Sequence, residues 1–218
     1  MIPLPPGPFR LILADPPWAF RTYTGGTRTP TQKNFAQSGP GSHAGAGAGA
    51  GDHYLTMAAN DLCALPVADV AAKDALLVMW TVGSHLDEAL ALGAAWGFKF
   101  VTDLFYWGKQ RLIAAEQIDL FTGDIYPPKI SMGYHTRKQL EPCLLFKRGK
   151  GVPVLDHSVR QLILAAPREH SRKPEEQYDR LDALYGTEIA RLEMFSRTPR
   201  EGWTAWGNET GKFGVEAA

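Results

Sequence analysis

Short apolar runs alternate along this chain with segments whose apolar positions recur every three or four residues. The first kind of pattern marks buried strands and the second amphipathic helices. "FRLILA" (9–14) predicts a strand ending at Asp15, "ALLVMWT" (75–81) a second and "FKFVTDLFYW" (98–107) a third. "QLILAA" (161–166) and "EIARLEMF" (188–195) predict two more. Between the second and third, "SHLDEALALGAAWG" offers Ser84 as N-cap, Asp87 as the acid of a capping box and Gly97 as a stop. "KPEEQYDRLDALYG" predicts a second helix, with Pro174 near its first turn and Gly186 after its end. Strand and helix in alternation predict an α/β fold: a mostly parallel twisted sheet with helices on both faces.

Two segments interrupt the rhythm. Residues 21–52, with "GPGSHAGAGAGAGD", hold too little apolar area to pack and predict a flexible surface insert. Its glycines follow no strand, open no helix and lack the Lys-Ser/Thr of a phosphate-binding loop, so they are not read as a nucleotide site. Residues 108–136 mix Gly, Pro and aromatics and predict a long functional loop.

The 218 residues, 44% of them hydrophobic, suit one core, so the expectation is a single domain over 1–218. Cys63 and Cys143 form no CxxC, which argues against a disulfide framework or zinc cluster, and no metal site is expected. The N-terminus carries no export pattern, and no apolar run approaches the roughly 18 residues of a membrane span; a cytoplasmic protein with no membrane partner is the expectation. With 23 basic and 23 acidic residues no global field draws the chain to a polyanion. Locally, Lys129, Arg137, Lys138, Lys147, Arg148 and Lys150 face only Glu141, which fits either a phosphate-meeting cluster or a solvated hairpin.

The chemistry concentrates where the first strand ends. In open α/β sheets ligands bind beyond the carboxyl ends of strands, where "DPPW" (15–18) lies. A carboxylate from Asp15 and the Pro16 carbonyl can accept the two N–H bonds of an aromatic amine. Pro17 fixes the direction of that carbonyl, and Trp18 offers a ring for stacking. Asp-Pro by itself is equally the mark of a tight turn at a strand end.

The longer string "ADPPWAF" resembles the catalytic motif of the amino-methyltransferases. Further segments agree in order: "YLTM" (54–57), "LPV" (65–67), "LLVMWT" (76–81), "AWGFKFVTDLFYWGK" (95–109), "EHSRKPEE" (169–176), "LEMFSR" (192–197) and "GWTAWGNE" (202–209). Together they resemble the MT-A-seventy family of adenine methyltransferases, bacterial or phage type, over about residues 9–209. The resemblance implies a Rossmann-like methyltransferase fold, S-adenosylmethionine as cofactor and methyl transfer to the exocyclic amino group of adenine, with Asp15, Pro16, Pro17 and Trp18 as the catalytic motif.

By the same resemblance Asp15 and Lys173 contact the cofactor, Lys173 through its methionine carboxylate, while Arg197, Asn208 and Glu209 hold its ribose. Tyr54 and Glu141 fall at substrate-side positions, with Lys109 in the matched "FYWGK"; independently of the resemblance, Trp80 and Trp107 end adjacent predicted strands where they could stack on a base, and Arg137 and Lys138 of the basic cluster are the candidate phosphate contacts. Tryptophan at a strand end is also an ordinary core residue, and Lys173 or Arg197 an ordinary surface charge. The chain departs from eukaryotic members: with 14 residues before Asp15, their upstream acidic contact to the cofactor adenine has no expected counterpart, and "TPREGW" replaces their polar contacts after the last long strand. Three functions stay open: methylation of DNA, the same chemistry on RNA, and a silent nucleic-acid-binding subunit. The intact tetrapeptide speaks against the last. The compact chain resembles bacterial and phage members, for which DNA is the usual substrate. Recognition sequence and oligomeric state are not encoded in any pattern here.

Overall fold

A computed structural model describes residues 2–18, 57, 59–110, 135–168 and 172–212. The predicted insert and most of the predicted 108–136 loop lie outside the described residues. Among the described residues seven strands form one sheet: β1 (Phe9–Ala14), β2 (Ala71–Trp80), β3 (Lys99–Lys109), β4 (Leu140–Arg148), β5 (Leu162–Ala165), β6 (Arg191–Met194) and β7 (Thr204–Trp206), in the order β5-β3-β4-β2-β1-β6-β7. Pairings β1·β2, β1·β6, β3·β5 and β6·β7 are parallel, whereas β4 runs antiparallel to both neighbours. The sheet is therefore the mixed, mostly parallel sheet of a Rossmann-like α/β fold.

The helices are α1 (Ala59–Cys63), α2 (Val67–Val70), α3 (Leu86–Ala95) and α4 (Glu176–Tyr185). Strand alternation divides the core into two layers. Ile12 and Ala14 of β1 and Leu77 and Met79 of β2 meet Leu62, Val67, Ala89, Leu92 and Trp96 on one face. Leu11, Leu13, Leu76, Val78 and Trp80 meet Tyr178, Leu181, Leu184 and Tyr185 of α4 on the other. Both sides of β1 are buried, which is why its sequence is continuously apolar.

Gly97 and Gly186 sit at positive φ, +83° and +77°, and stop α3 and α4 where predicted. The predicted capping box at Ser84 does not form. A 3₁₀ turn over Gly83–His85 takes its place, α3 begins at Leu86 without a side-chain cap, and the Ser84 hydroxyl lies 3.0 Å from His85 Nδ1. β3 runs on through Gly108 and Lys109, so the residues expected to open a loop belong to the ladder. Among the described residues no helix is long and apolar enough to cross a membrane.

Candidate active site

β1 runs parallel to both its neighbours, β2 and β6, so the carboxyl ends of all three open on the same edge of the sheet. A cleft open to solvent lies there. Its walls include Leu13 and Asp15 after β1, Trp80 at the end of β2, Lys173 and Tyr178 at the start of α4, and Glu193, Phe195 and Arg197 around the end of β6. Asp15 is the first residue beyond the β1 ladder, which closes with Ala14 against Met79 and Met194.

Asp15 meets an ion-pair chain. Lys173 Nζ is 2.8 Å from Asp15 Oδ2 and 3.7 Å from Glu141 Oε2, and Lys109 pairs with the other oxygen of Glu141. β4 supplies Glu141 because it runs antiparallel: its first residues lie beside the last residues of β3, with Glu141 opposite Trp107. Burial raises the Asp15 carboxyl above its ordinary range, and Lys173 offsets this only in part. The group is deeply set, yet 31% of its side chain still meets solvent along the cleft. Burial opposes the Glu141 carboxylate too, but Lys173 and Lys109 together hold it below the usual range.

The two prolines turn the chain inward. The Trp18 N–H donates to the Pro16 carbonyl at 2.8 Å, and the Met57 N–H donates to the Pro17 carbonyl at 3.1 Å. A carbonyl has two lone pairs, so Pro16 keeps one for a ligand. Trp18 departs from the stacking role read from its sequence. Its ring is 4% exposed, lies in the core beside His85 and donates from Nε1 to the Trp80 carbonyl at 3.3 Å. Trp80 borders the cleft, but its ring is 1% exposed, fixed by a 2.7 Å bond from Nε1 to Gln177 Oε1, and so belongs to the core and is not an open stacking face.

On the opposite wall the Tyr178 hydroxyl donates to Glu193 Oε1 at 2.9 Å, while Glu193 Oε2 is buried with no hydrogen-bond partner among the described residues. Burial pushes the Glu193 carboxyl up to about 7, against the lowering effect of Tyr178. Folding binds this proton more firmly than the unfolded chain does, whose carboxyl titrates near 4.5. Stability from this group is therefore lost as pH rises through that window. Glu193→Gln is expected to melt above the wild type at about pH 8, with the gap closing towards about pH 5. Thermal melts across that range check the sign, and a gap that does not vary with pH would refute it. Phe195 holds φ at +63°, an uncommon conformation for a non-glycine residue, and its ring packs edge-on to Trp206 at 5.5 Å. Beyond it, Arg200 lies over the Tyr178 ring at 3.9 Å and pairs with Glu175.

Of the residues singled out in the sequence, Asp15, Trp80, Lys173 and Arg197 line the cleft, with Glu141 and Lys109 adjoining it through Lys173. Trp107 does not reach it: the ring is 2% exposed and bonded to the Ala165 carbonyl. Asn208 and Glu209 form the turn after β7, at the same edge but outside the cleft lining, and Glu209 pairs with Lys212 at 2.7 Å. Arg137 and Lys138 precede β4 at the site's end of the sheet. Lys147 and Arg148 lie at its far end, opposite Leu76 and Ala75, where Arg148 is committed to the Ala68 carbonyl at 2.6 Å. The basic cluster is thus split by the length of β4. Tyr54 and Lys129 lie outside the described residues. Glu193, Gln177 and Tyr178 were missed. A carboxylate interrupting the buried run "RLEM" was the available signal for Glu193.

The sequence matches the MT-A70 family over residues 9–209, which contain all seven of the described strands. The chain belongs to that family. The type II methyltransferase M.MunI of Mycoplasma sp is 29% identical over 208 residues, covering 94% of this chain and 79% of that protein. The human N(6)-adenine-specific methyltransferase METTL4 is 27% identical, covering 94% of this chain and 38% of its own length. The N6-methyladenosine RNA methyltransferase MTA1 of Pyricularia oryzae is 23% identical, with 92% and 46% covered. The chain therefore spans less than half of these two eukaryotic relatives. In this MT-A70 protein the family tetrapeptide occupies the strand end that borders the cleft. Among the described residues no cluster of His, Cys, Asp and Glu could hold a metal ion.

Proposed function

We propose that this chain is an S-adenosylmethionine-dependent methyltransferase acting on the exocyclic amino group of adenine in DNA. The observation carrying this reading is the position of Asp15: the first residue of the family tetrapeptide, at the end of β1, with its carboxylate facing a cleft. The cleft's donor set suits the cofactor. Cationic Lys173 matches the methionine carboxylate, and the acidic Glu193, with its buried oxygen lacking a hydrogen-bond partner among the described residues, matches a positively charged group. When bound, S-adenosylmethionine supplies a methyl group already activated on a sulfonium.

The protein's part is positioning and electrostatics. The amine lone pair of adenine is delocalised into the ring, which makes the nitrogen a poor nucleophile. Asp15 and the free lone pair of Pro16 accept its N–H bonds, draw the nitrogen towards tetrahedral geometry and stabilise the positive charge that develops there. Lys173 engages one oxygen of Asp15 and keeps the carboxylate ionised and oriented. Lys109 and Glu141 hold Lys173 in turn. Arg197, with Asn208 and Glu209 on the neighbouring turn, is assigned to the cofactor's ribose by the family resemblance.

DNA is favoured because the bacterial type II methyltransferase is matched over most of its length. RNA is the second reading, since the Pyricularia enzyme named for RNA matches 92% of this chain. Incubation with methyl-labelled S-adenosylmethionine and duplex DNA, single-stranded DNA or RNA tests both. Label recovered as N6-methyladenine in DNA is expected. Preferential labelling of RNA would replace the substrate, and label in none would sink the activity.

A paired adenine hides its amino group, so the base must be unpaired or flipped out, at a cost of a few kcal/mol that backbone contacts offset. Arg137 and Lys138 stand at the site's end of β4, whereas Lys147 stands roughly 30 Å away by the strand's rise. Replacing Arg137 and Lys138 by alanine should flatten the salt dependence of DNA affinity by up to about one unit of slope per lost phosphate contact. Lys147→Ala should leave the slope unchanged. Titrations at several salt concentrations decide it, and identical slopes for all three proteins would remove the pair from the DNA path.

A further inference from the structure

Glu193 is a cleft carboxyl that takes no part in the proposed transfer step. β6 pairs it with Leu13, two residues before Asp15 on the adjacent strand, so it stands on the Asp15 side of the sheet and one step deeper. Its Oε1 is held by Tyr178, and its Oε2 is buried without a hydrogen-bond partner among the described residues. A buried oxygen of that kind needs a reason to persist, since leaving a polar atom unsatisfied is costly. The nearby Ser196 hydroxyl donates to the Thr198 carbonyl at 3.0 Å, and after Tyr178 it is the hydrogen-bonding group that most lowers the carboxyl's titration. Charged and titratable groups surround the carboxyl from every side. Tyr178 comes from α4, Asp15 from the end of β1 and Arg197 from beyond β6, with Lys173, Arg172, Glu175 and Arg200 along the same cleft.

We infer that Glu193 is a cation-recognising residue of the cleft, which takes up a positively charged sulfonium or ammonium group of the cofactor and releases a proton as it does so. This rests on the cofactor reading above. In the free protein the group carries a proton near neutrality because burial disfavours its charge. A cation placed against Oε2 supplies the missing partner, favours the carboxylate and expels the proton to solvent. The proton is the only species that leaves, and no covalent bond beyond that O–H is broken. Cofactor affinity consequently strengthens as pH rises through the carboxyl's titration.

Calorimetry of S-adenosylmethionine binding in buffers of different ionisation heat measures this release. At about pH 6.5 a carboxyl titrating near 7 is largely protonated, so the wild type should release roughly half a proton or more per cofactor bound. Glu193→Gln should lose that release and bind the cofactor about 10-fold to 100-fold more weakly at about pH 8, the range expected for a lost charge-assisted contact. Tyr178→Phe keeps the carboxyl but removes the larger of the two hydrogen bonds, from Tyr178 and Ser196, that lower its titration, so the midpoint of release should move to higher pH. Heat independent of buffer in the wild type overturns the inference while leaving the cofactor reading intact. Release that persists in Glu193→Gln and disappears in Asp15→Asn overturns it as well. Failure of the wild type to bind S-adenosylmethionine at all overturns both.

Discussion

Asp15→Ala is expected to fold and to bind S-adenosylmethionine, yet to transfer methyl groups about 10²–10³ more slowly, the usual effect of deleting one preorganised polar contact aimed at developing charge. The fold survives because Asp15 lies beyond the β1 ladder and none of the core layers depends on it. Its removal leaves Lys173 with Glu141 as partner at 3.7 Å, so the ion-pair chain is shortened and not destroyed. The effect falls on the transition state, because the carboxylate matters most as the amine nitrogen turns cationic. Asp15→Asn separates charge from shape. It keeps an acceptor oxygen but also presents an amide donor to Lys173, and should lose most of the rate as well. Single-turnover transfer from labelled cofactor, beside calorimetric cofactor affinity and thermal melts, makes the distinction. A rate within a few-fold of wild type would show that Asp15 does not face the reacting nitrogen.

How much of this site was visible in the chain depends on how local its logic is. β1 was legible to the residue because "FRLILA" is apolar on both faces and stops at a carboxylate, and α4 because Pro174 and Gly186 bracket it. β4 was not. Its "LEPCLLFKR" carries Pro142 and three charges, and in sequence these dominate the apolar positions. In the sheet both of its faces are covered: Leu144 and Phe146 pack in one core layer and Cys143 in the other, Lys147 is exposed, and the Pro142 carbonyl still accepts from the Thr81 N–H at 3.0 Å. Reading residues 129–150 as one basic cluster failed for the same reason. Charges adjacent along a strand of nine residues are carried to opposite ends of the sheet.

The tetrapeptide shows the same limit at smaller scale. That "DPPW" ends a strand and points Asp15 at a ligand follows from its place in the pattern. That the tryptophan turns back into the core depends on a bond from its own N–H to Pro16 and on His85 and Trp80 arriving from distant segments. The partnership of Asp15 with Lys173 joins residues 158 positions apart and was likewise beyond any local reading. The family resemblance placed Lys173 near the cofactor. The structure adds that the same ammonium also pairs with the Asp15 carboxyl and opposes the rise in its titration.

That double duty makes Lys173→Met the most informative second variant. Burial already raises the Asp15 carboxyl, and Lys173 is the largest influence opposing the rise, through both its charge and its hydrogen bond. Without it the carboxyl should titrate higher still. If Asp15 must be ionised to accept the adenine N–H and stabilise the developing charge, the acid limb of the rate profile should move to higher pH. Lys173→Arg, which keeps the charge, should hold the limb close to wild type. Stability should follow the same carboxyls. At neutral pH the variant leaves Asp15 charged and poorly paired, and Glu141 keeps only Lys109. The loss should be about 1–3 kcal/mol, less than the 3–5 kcal/mol typical of a fully buried pair, because 31% of the Asp15 side chain meets solvent. The sign is fixed by which form suffers: as pH falls and both carboxyls take up protons, the unpaired charges vanish and the variant's melting temperature should approach that of wild type. Rate profiles and melts of the three proteins across pH measure both effects. An acid limb that stays put in Lys173→Met, with transfer otherwise reduced, would confine Lys173 to holding the cofactor and leave the ionisation of Asp15 to its other surroundings.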